Sequence, residues 1–239
     1  MVTRRVLLML PGLAFAQGQT RTPLERRADA LAKTDRKKLA RELLAAIQKD
    51  PNDGVSMLLL GIVLAESLQG RAAELTREVT PLYRDAASRL EEPSDRAAVI
   101  ELEASLAEQL KQTDEAKALR KRALEIRQRI ASEMFPSAPT PEGELRKIGN
   151  GVTPPKLKKK HEPKYSPLAR FANWQGTAIL GLVVGSDGLP HDIRLVRGLG
   201  LGLDEHAVEA VRGWRFVPGM LEGDPVNVQA TVEVNFRML

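Results

Sequence analysis

The sequence predicts an α+β chain in two domains: an all-α amino-terminal part, then a small domain in which one helix packs on an antiparallel sheet. Three observations carry this. Residues 22–134 are rich in Ala, Leu, Glu, Arg and Lys, with apolar residues at helical spacing. Residues 135–143 hold three prolines and a glycine, which no helix continues through. Residues 226–238 alternate apolar and polar without exception, as a strand with one dry and one wet face does.

Composition narrows the function before any motif is read. Of 239 residues, 43% are apolar and 4% aromatic, so the chain is too apolar for disorder and its core must rest on Leu, Ala and Val. The formal charge of +5 is mild and does not call for a nucleic-acid partner. The lack of cysteine excludes disulfides, thiol nucleophiles and thiolate metal sites. Only His161, His191 and His206 remain as soft ligands, and they are scattered. No catalytic residue, metal site or cofactor is assigned, and an enzyme is not expected.

The amino terminus reads as an address. Arg4 and Arg5 precede an apolar stretch of 11 residues, Val6–Ala16, interrupted by Pro11 and Gly12. Ala14-Phe-Ala16 then offers small residues at a cleavage site before Gln17. Residues 1–16 are therefore expected to be a signal peptide, too short for a span of ~20 residues, and the mature chain to be periplasmic. Retention of the leader would instead anchor the chain in the inner membrane.

In residues 22–134, breaks fall at Asp50–Gly54, Gln69-Gly70, Glu92–Ser94 and Gln112-Thr113, giving about five helices. Leu39, Leu43, Leu44 and Ile47 share one helical face, as do Leu102, Leu106 and Leu110. Leu64–Arg71 is echoed by Leu106–Thr113, a displacement of 42 residues. An amphipathic hairpin cannot bury its apolar face alone, so copies would stack. The segment Leu106–Ile130 resembles a tetratricopeptide repeat of the longer-period kind, and Asp50–Asp53 resembles the connector between such repeats. Charges of both signs alternate here, which reads as a solvated face.

Residues 135–163 are expected to form an extended Pro- and Lys-rich linker. The basic excess sits in 135–164, which carries seven basic and three acidic residues, including Lys156, Lys158, Lys159, Lys160 and Lys164. Such a run is usually solvated, but it also suits anionic lipid or another acidic surface.

From residue 164 to 239 the pattern is mixed. Ser166–Asn173 opens a short helix with Pro167 in its first turn. Thr177–Val184 and His191–Arg197 form a hairpin around Asp187-Gly188. Gly198–Leu203 then leads into a helix with Asp204 and Glu205 in its first turn, Arg212 in its last, and a stripe of Leu203, Ala207, Val208, Val211 and Trp214. Trp214 and Phe216 read as core rather than as a binding platform. The glycines at 198, 200 and 202 lack the Gly-Lys-Ser/Thr of a phosphate loop. His206 beside Asp204 and Glu205 reads as helix-start polarity. The final strand, twice the usual 5–6 residues, is expected to outrun its neighbours and leave main-chain groups open.

Pro163-Lys-Tyr165, Ala169-Arg170, Gln175-Gly-Thr177, Asp187-Gly188, Gly200–Glu205, Ala210–Gly219, Gly223-Asp-Pro-Val226 and Val232–Phe236 follow in order the pattern of the TonB carboxy-terminal domain, which this chain resembles over residues 152–239. Proteins of that family transmit inner-membrane energy to outer-membrane transporters by capturing an extended peptide, the TonB box, as an added strand. The resemblance implies a docking edge of Val226, Asn227, Val228, Gln229, Ala230, Thr231, Val232, Glu233, Val234, Asn235 and Phe236. It also implies that Lys164 and Tyr165 lie near the captured peptide.

The expected function is β-strand capture of a segment of an outer-membrane TonB-dependent transporter, linked to energy-dependent transport across the outer membrane. Coupling to ExbB/ExbD-type motor proteins requires an uncleaved membrane helix in place of the interrupted leader. A homodimer through the edge is a further expectation. The alternative is an exported scaffold whose helical half binds the client while the sheet only anchors or dimerises.

Overall fold

The computed structural model describes residues 21–136 and 139–238; the expected signal peptide lies outside them. The helical part runs α1 (Pro23–Leu31), α2 (Arg36–Lys49), α3 (Gly54–Ser67), α4 (Ala72–Glu74), a π-helical segment (Leu75–Val79), α5 (Thr80–Arg89), α6 (Pro93–Gln109) and α7 (Thr113–Met134). No helix among the described residues is long and apolar enough to cross a membrane.

Local chemistry sets the helix boundaries. Thr22 and Glu25 close a capping box on α1, while Asp35 and Asp53 cap α2 and α3 by accepting from the amides of Lys38 and Ser56. The Asp35 cap marks a break between α1 and α2 that the sequence reading missed. Conversely, α4 and α5 run on through Pro81. The π-helical segment absorbs the proline there, with the Thr80 amide reaching back to the Leu75 carbonyl. Helix α3 is apolar on all sides and buried from Ser56 to Val63, as suits a central helix. Gly61 lets the Tyr83 ring approach, since a Cβ there would fall 2.5 Å from that ring.

The second part contains β1 (Leu145–Arg146), β2 (Lys156–Lys159), α8 (Pro167–Phe171), β3 (Gly176–Val184), β4 (Pro190–Arg197), α9 (Leu203–Arg212), β5 (Arg215–Val217), β6 (Gly219–Leu221) and β7 (Asp224–Phe236). The main sheet has the order β1-β7-β3-β4, with β6 also pairing β7, and β2–β5 forms a separate ribbon. The expected α+β organisation is present. The 135–163 stretch, however, is not a free linker: β1 adds to the main sheet and β2 pairs β5 antiparallel.

The final strand has the expected length of 13 residues but begins two residues earlier. Positive φ at Glu222 (55°) and Gly223 (98°) closes a tight β6–β7 hairpin that the sequence reading did not identify. β7 pairs β3 without interruption from Val228↔Val184 to Phe236↔Gly176. Its dry face carries Val228, Val234 and Phe236, all nearly inaccessible.

Helix α9 lies on the sheet against β3 and β4, and its stripe is buried as expected. Helix α1 packs on α8, and α7 packs on both α9 and β4. One hydrophobic cluster runs from Leu24 and Leu39 through Val99 and Leu168 to Val234 and Phe236. Both parts therefore share a core.

A candidate strand-docking edge on β7

Both edges of the main sheet begin with a row of unpaired main-chain groups, and the chain treats them differently. Outside β4 lies α7, whose Gln128 Nε2 donates to the Leu195 carbonyl at 2.8 Å. Before the β3 ladder begins, Val226 pairs Gly219 of β6; on the side away from β3, Asn227 and Val228 pair Leu145 and Arg146 of the parallel strand β1. From Gln229 to Phe236, β3 is the only strand partner among the described residues. The open row is thus eight residues long, shorter than the expected Val226–Phe236. It is open because β7 is a sheet edge rather than because β7 outruns its neighbours; its overhang, Asp224–Asn227, is where β6 and β1 pair.

The two faces beside that row differ. On the dry side Ala230 and Val232 are half-buried against the core, and Phe236 meets the Tyr165 ring edge-on, with centroids 5.8 Å apart at 89°. Tyr165 is fixed by its hydroxyl, which donates to the Trp174 carbonyl, and burial raises its pKa. On the wet side Thr231, Glu233 and Asn235 are exposed and Gln229 is half-buried. Lys164 is exposed, next to Tyr165 in sequence. A visiting strand would meet apolar and aromatic groups on one face and mainly uncharged polar groups on the other.

Asn227, expected on the wet face, is buried at 2% exposure. Its Oδ1 accepts from the Ser186 amide at 3.0 Å, and its Nδ2 donates to the carbonyls of Pro141 at 2.9 Å and Gly143 at 3.5 Å. It ties the segment before β1 to the β3–β4 turn. Nothing in the alternating pattern marked Asn227 apart from Gln229 or Asn235.

Asp204 and Glu205 lie in the first turn of α9, as the sequence reading placed them, and both are buried there beside Glu101 of α6 and Arg127 of α7. Arg127 donates to Glu101 at 2.7 and 2.9 Å and to Glu205 at 3.1 Å, and all three are buried. The helical part, expected to carry its charges on a solvated face, thus buries Glu101 and Arg127, and Asp95 as well. Burial, then the carboxylates of Glu205 and Glu101, push the Asp204 pKa up to about 7 against the pull of Arg127. Arg127 is held charged by the same carboxylates despite its burial.

This cluster also explains the glycines. The amides of Leu199 and Gly200 donate to Asp204, and the Leu201 amide donates to Glu101 at 2.6 Å. The chain's own carboxylates occupy the place a phosphate would take. Gly200, at φ +93°, could not carry a Cβ, which would fall 2.6 Å from Glu101 Cδ. Trp214 and Phe216 are core residues, and the Trp214 indole donates to the His161 carbonyl at 2.9 Å. His206 lies 3.5 Å from Glu209, and no cluster of three or more metal-ligating side chains occurs among the described residues.

Comparison with known proteins falls on the same region. Over 77 residues, 32% of this chain and 28% of the relative, the sequence is 32% identical to Protein tonB2 of Pseudomonas aeruginosa. Over 78 residues, 32% of each chain, it is 28% identical to Protein TonB of Vibrio cholerae. The chain thus spans less than a third of the length of these curated relatives. The region that forms α8, β3 to β7 and α9, residues 161–238, matches the family described as Gram-negative bacterial TonB protein C-terminal.

Proposed function

We propose that the chain is a TonB-family periplasmic binding protein that captures an extended peptide of an outer-membrane transporter by adding it as a strand beside Gln229–Phe236. The capture serves energy-dependent transport across the outer membrane. The observation that carries the reading is the contrast between edges: α7 packs on β4 and bonds the Leu195 carbonyl, whereas along eight residues the outer side of β7 meets no strand among the described residues. Main-chain pairing supplies most of the affinity in such a mode, and pockets for alternate side chains supply selectivity. Tyr165, Ala230, Val232 and Phe236 give the visiting strand an apolar face to cover.

Proline substitution tests this. Neighbouring residues of an antiparallel strand turn their N–H groups to opposite sides. Of Val232→Pro and Glu233→Pro, one removes a donor from the β3 ladder and destabilises the fold. The other removes a donor from the open row, leaves the fold intact and abolishes binding of a synthetic TonB-box peptide. If the folded proline variant binds that peptide as the parent does, the edge is not the docking site.

A second reading keeps the helical part, taken as tetratricopeptide-like, as a client-binding scaffold. It is favoured by a cleft of about 330 Å³ lined by Glu66, Gln69, Ser105, Gln109, Asn173 and Trp174. Gln109→Arg would then block the client and leave peptide capture at β7 unchanged.

A further inference from the structure

The β2–β5 ribbon is rooted in the shared core by Phe216 of β5, but the rest of it is exposed, and its exposed side chains are unusual for a structural element. All four residues of β2 are exposed, and three are lysines: Lys156, Lys158 and Lys159. Lys160 follows and pairs with Glu162. The register sets Lys156 opposite Val217 and Lys159 opposite Arg215, with a shift between Leu157 and Lys159 that fits Lys158 in as an extra cation. Like charges directly opposite on one face of a ribbon are destabilising. None of Lys156, Lys158, Lys159 and Arg215 makes an ion pair among the described residues, so nothing there offsets the repulsion. Lys156, Lys159, Arg215 and the apolar Val217, 47% exposed, share one face of the ribbon, while Leu157 lies on the other face with Phe216.

We propose that this ribbon is a membrane-surface docking face for anionic lipid headgroups. The cations take the headgroup charges, while Val217 on the same face reaches the boundary of the acyl region. Charge complementarity selects an anionic partner. The exposed Val217 among the cations selects a lipid surface over a polyanion in water, which offers it nothing to contact. A cation close to an anionic bilayer gains ~1 kcal/mol, or roughly fivefold in partitioning. The face is separate from Gln229–Phe236, so a membrane-docked chain keeps its strand edge free.

Co-sedimentation of the full chain with vesicles tests this, using phosphatidylcholine alone and an equal mixture with phosphatidylglycerol, at low and high salt. Expected is binding to the mixed vesicles only, weakened by salt. The triple variant K156Q/K158Q/K159Q should bind about a hundredfold more weakly, from roughly fivefold per lysine. Its melting temperature should match the parent's, because all three side chains are exposed. Any pull from the leader is common to both chains and cancels in the comparison. V217S should also weaken vesicle binding while leaving binding of soluble polyphosphate unchanged. Two results overturn the proposal. If the parent does not sediment with mixed vesicles, the lysines merely shield the β2 edge from other strands. If V217S binds vesicles as the parent does and polyphosphate competes fully, the face is a general polyanion site.

Discussion

Gln128 on α7 donates to the carbonyl of Leu195 on β4 at 2.8 Å, and this places the helical part on one edge of the sheet. An uncovered sheet edge is a template for any passing strand. Helix α7 meets the β4 edge at Leu195, while from Gln229 to Phe236 the outer side of β7 has no strand partner among the described residues; on the proposed reading this directs strand addition to β7. Gln128→Ala should cost about 1 kcal/mol, the usual worth of one hydrogen bond, and leave peptide capture unchanged. Denaturant unfolding and a peptide titration read the two effects separately.

Arg127 sits between Glu101 and Glu205, with Asp204 beside them. Removing it would leave three buried carboxylates without their cation. Arg127→Met should therefore destabilise the chain by about 3–5 kcal/mol, the range for breaking a buried pair from one side. Leu124→Ala, half-buried on the same helix, should cost clearly less. Chemical unfolding of both variants checks the order.

The same cluster sets a pH dependence. The folded chain holds a proton on Asp204 up to about pH 7. It holds another on Asp95 up to about pH 6, chiefly through burial. An unfolded aspartate releases its proton near pH ~4. Between these limits the folded state binds more protons than the unfolded state, so stability from these groups is present at the acid end and is lost as pH rises. The unfolding midpoint should fall from about pH 5 to about pH 7, and Asp204→Asn should flatten that slope. A slope unchanged by Asp204→Asn would contradict the assignment.

Asn227 ties three backbone groups together from inside the sheet. Asn227→Ala should cost about 1–3 kcal/mol, because the Ser186 amide and two carbonyls lose a buried partner. It should also speed amide exchange at Leu145 and Arg146 relative to the rest of the sheet, since β1 is held by two residue pairs only.

How far the sequence revealed the fold follows from which forces are local. The β7 alternation, the α9 stripe from Leu203 to Trp214 and the β3–β4 hairpin were legible because burial on one face repeats with the period of the element. The β6–β7 turn at Glu222-Gly223 was missed because its glutamate is an uncommon residue for positive φ. The roles of Asp204, Glu205, Arg127 and Glu101 were not legible at all. Each stands in an ordinary amphipathic context, and only the packing of α6 and α7 on α9 buries them together. For the same reason, β1 and β2 were hidden in a stretch whose prolines and lysines describe an extended chain without naming its partner.

The central claim is that main-chain groups along Gln229–Phe236 stay open on one side, and amide hydrogen exchange of the free chain measures this residue by residue. The account predicts alternation through these eight positions: slow exchange where the N–H faces β3, fast exchange where it faces outward, with the fast set becoming protected on addition of a TonB-box peptide. Uniformly slow exchange in the free chain would mean that the row is already filled, and strand capture at β7 would have to be abandoned.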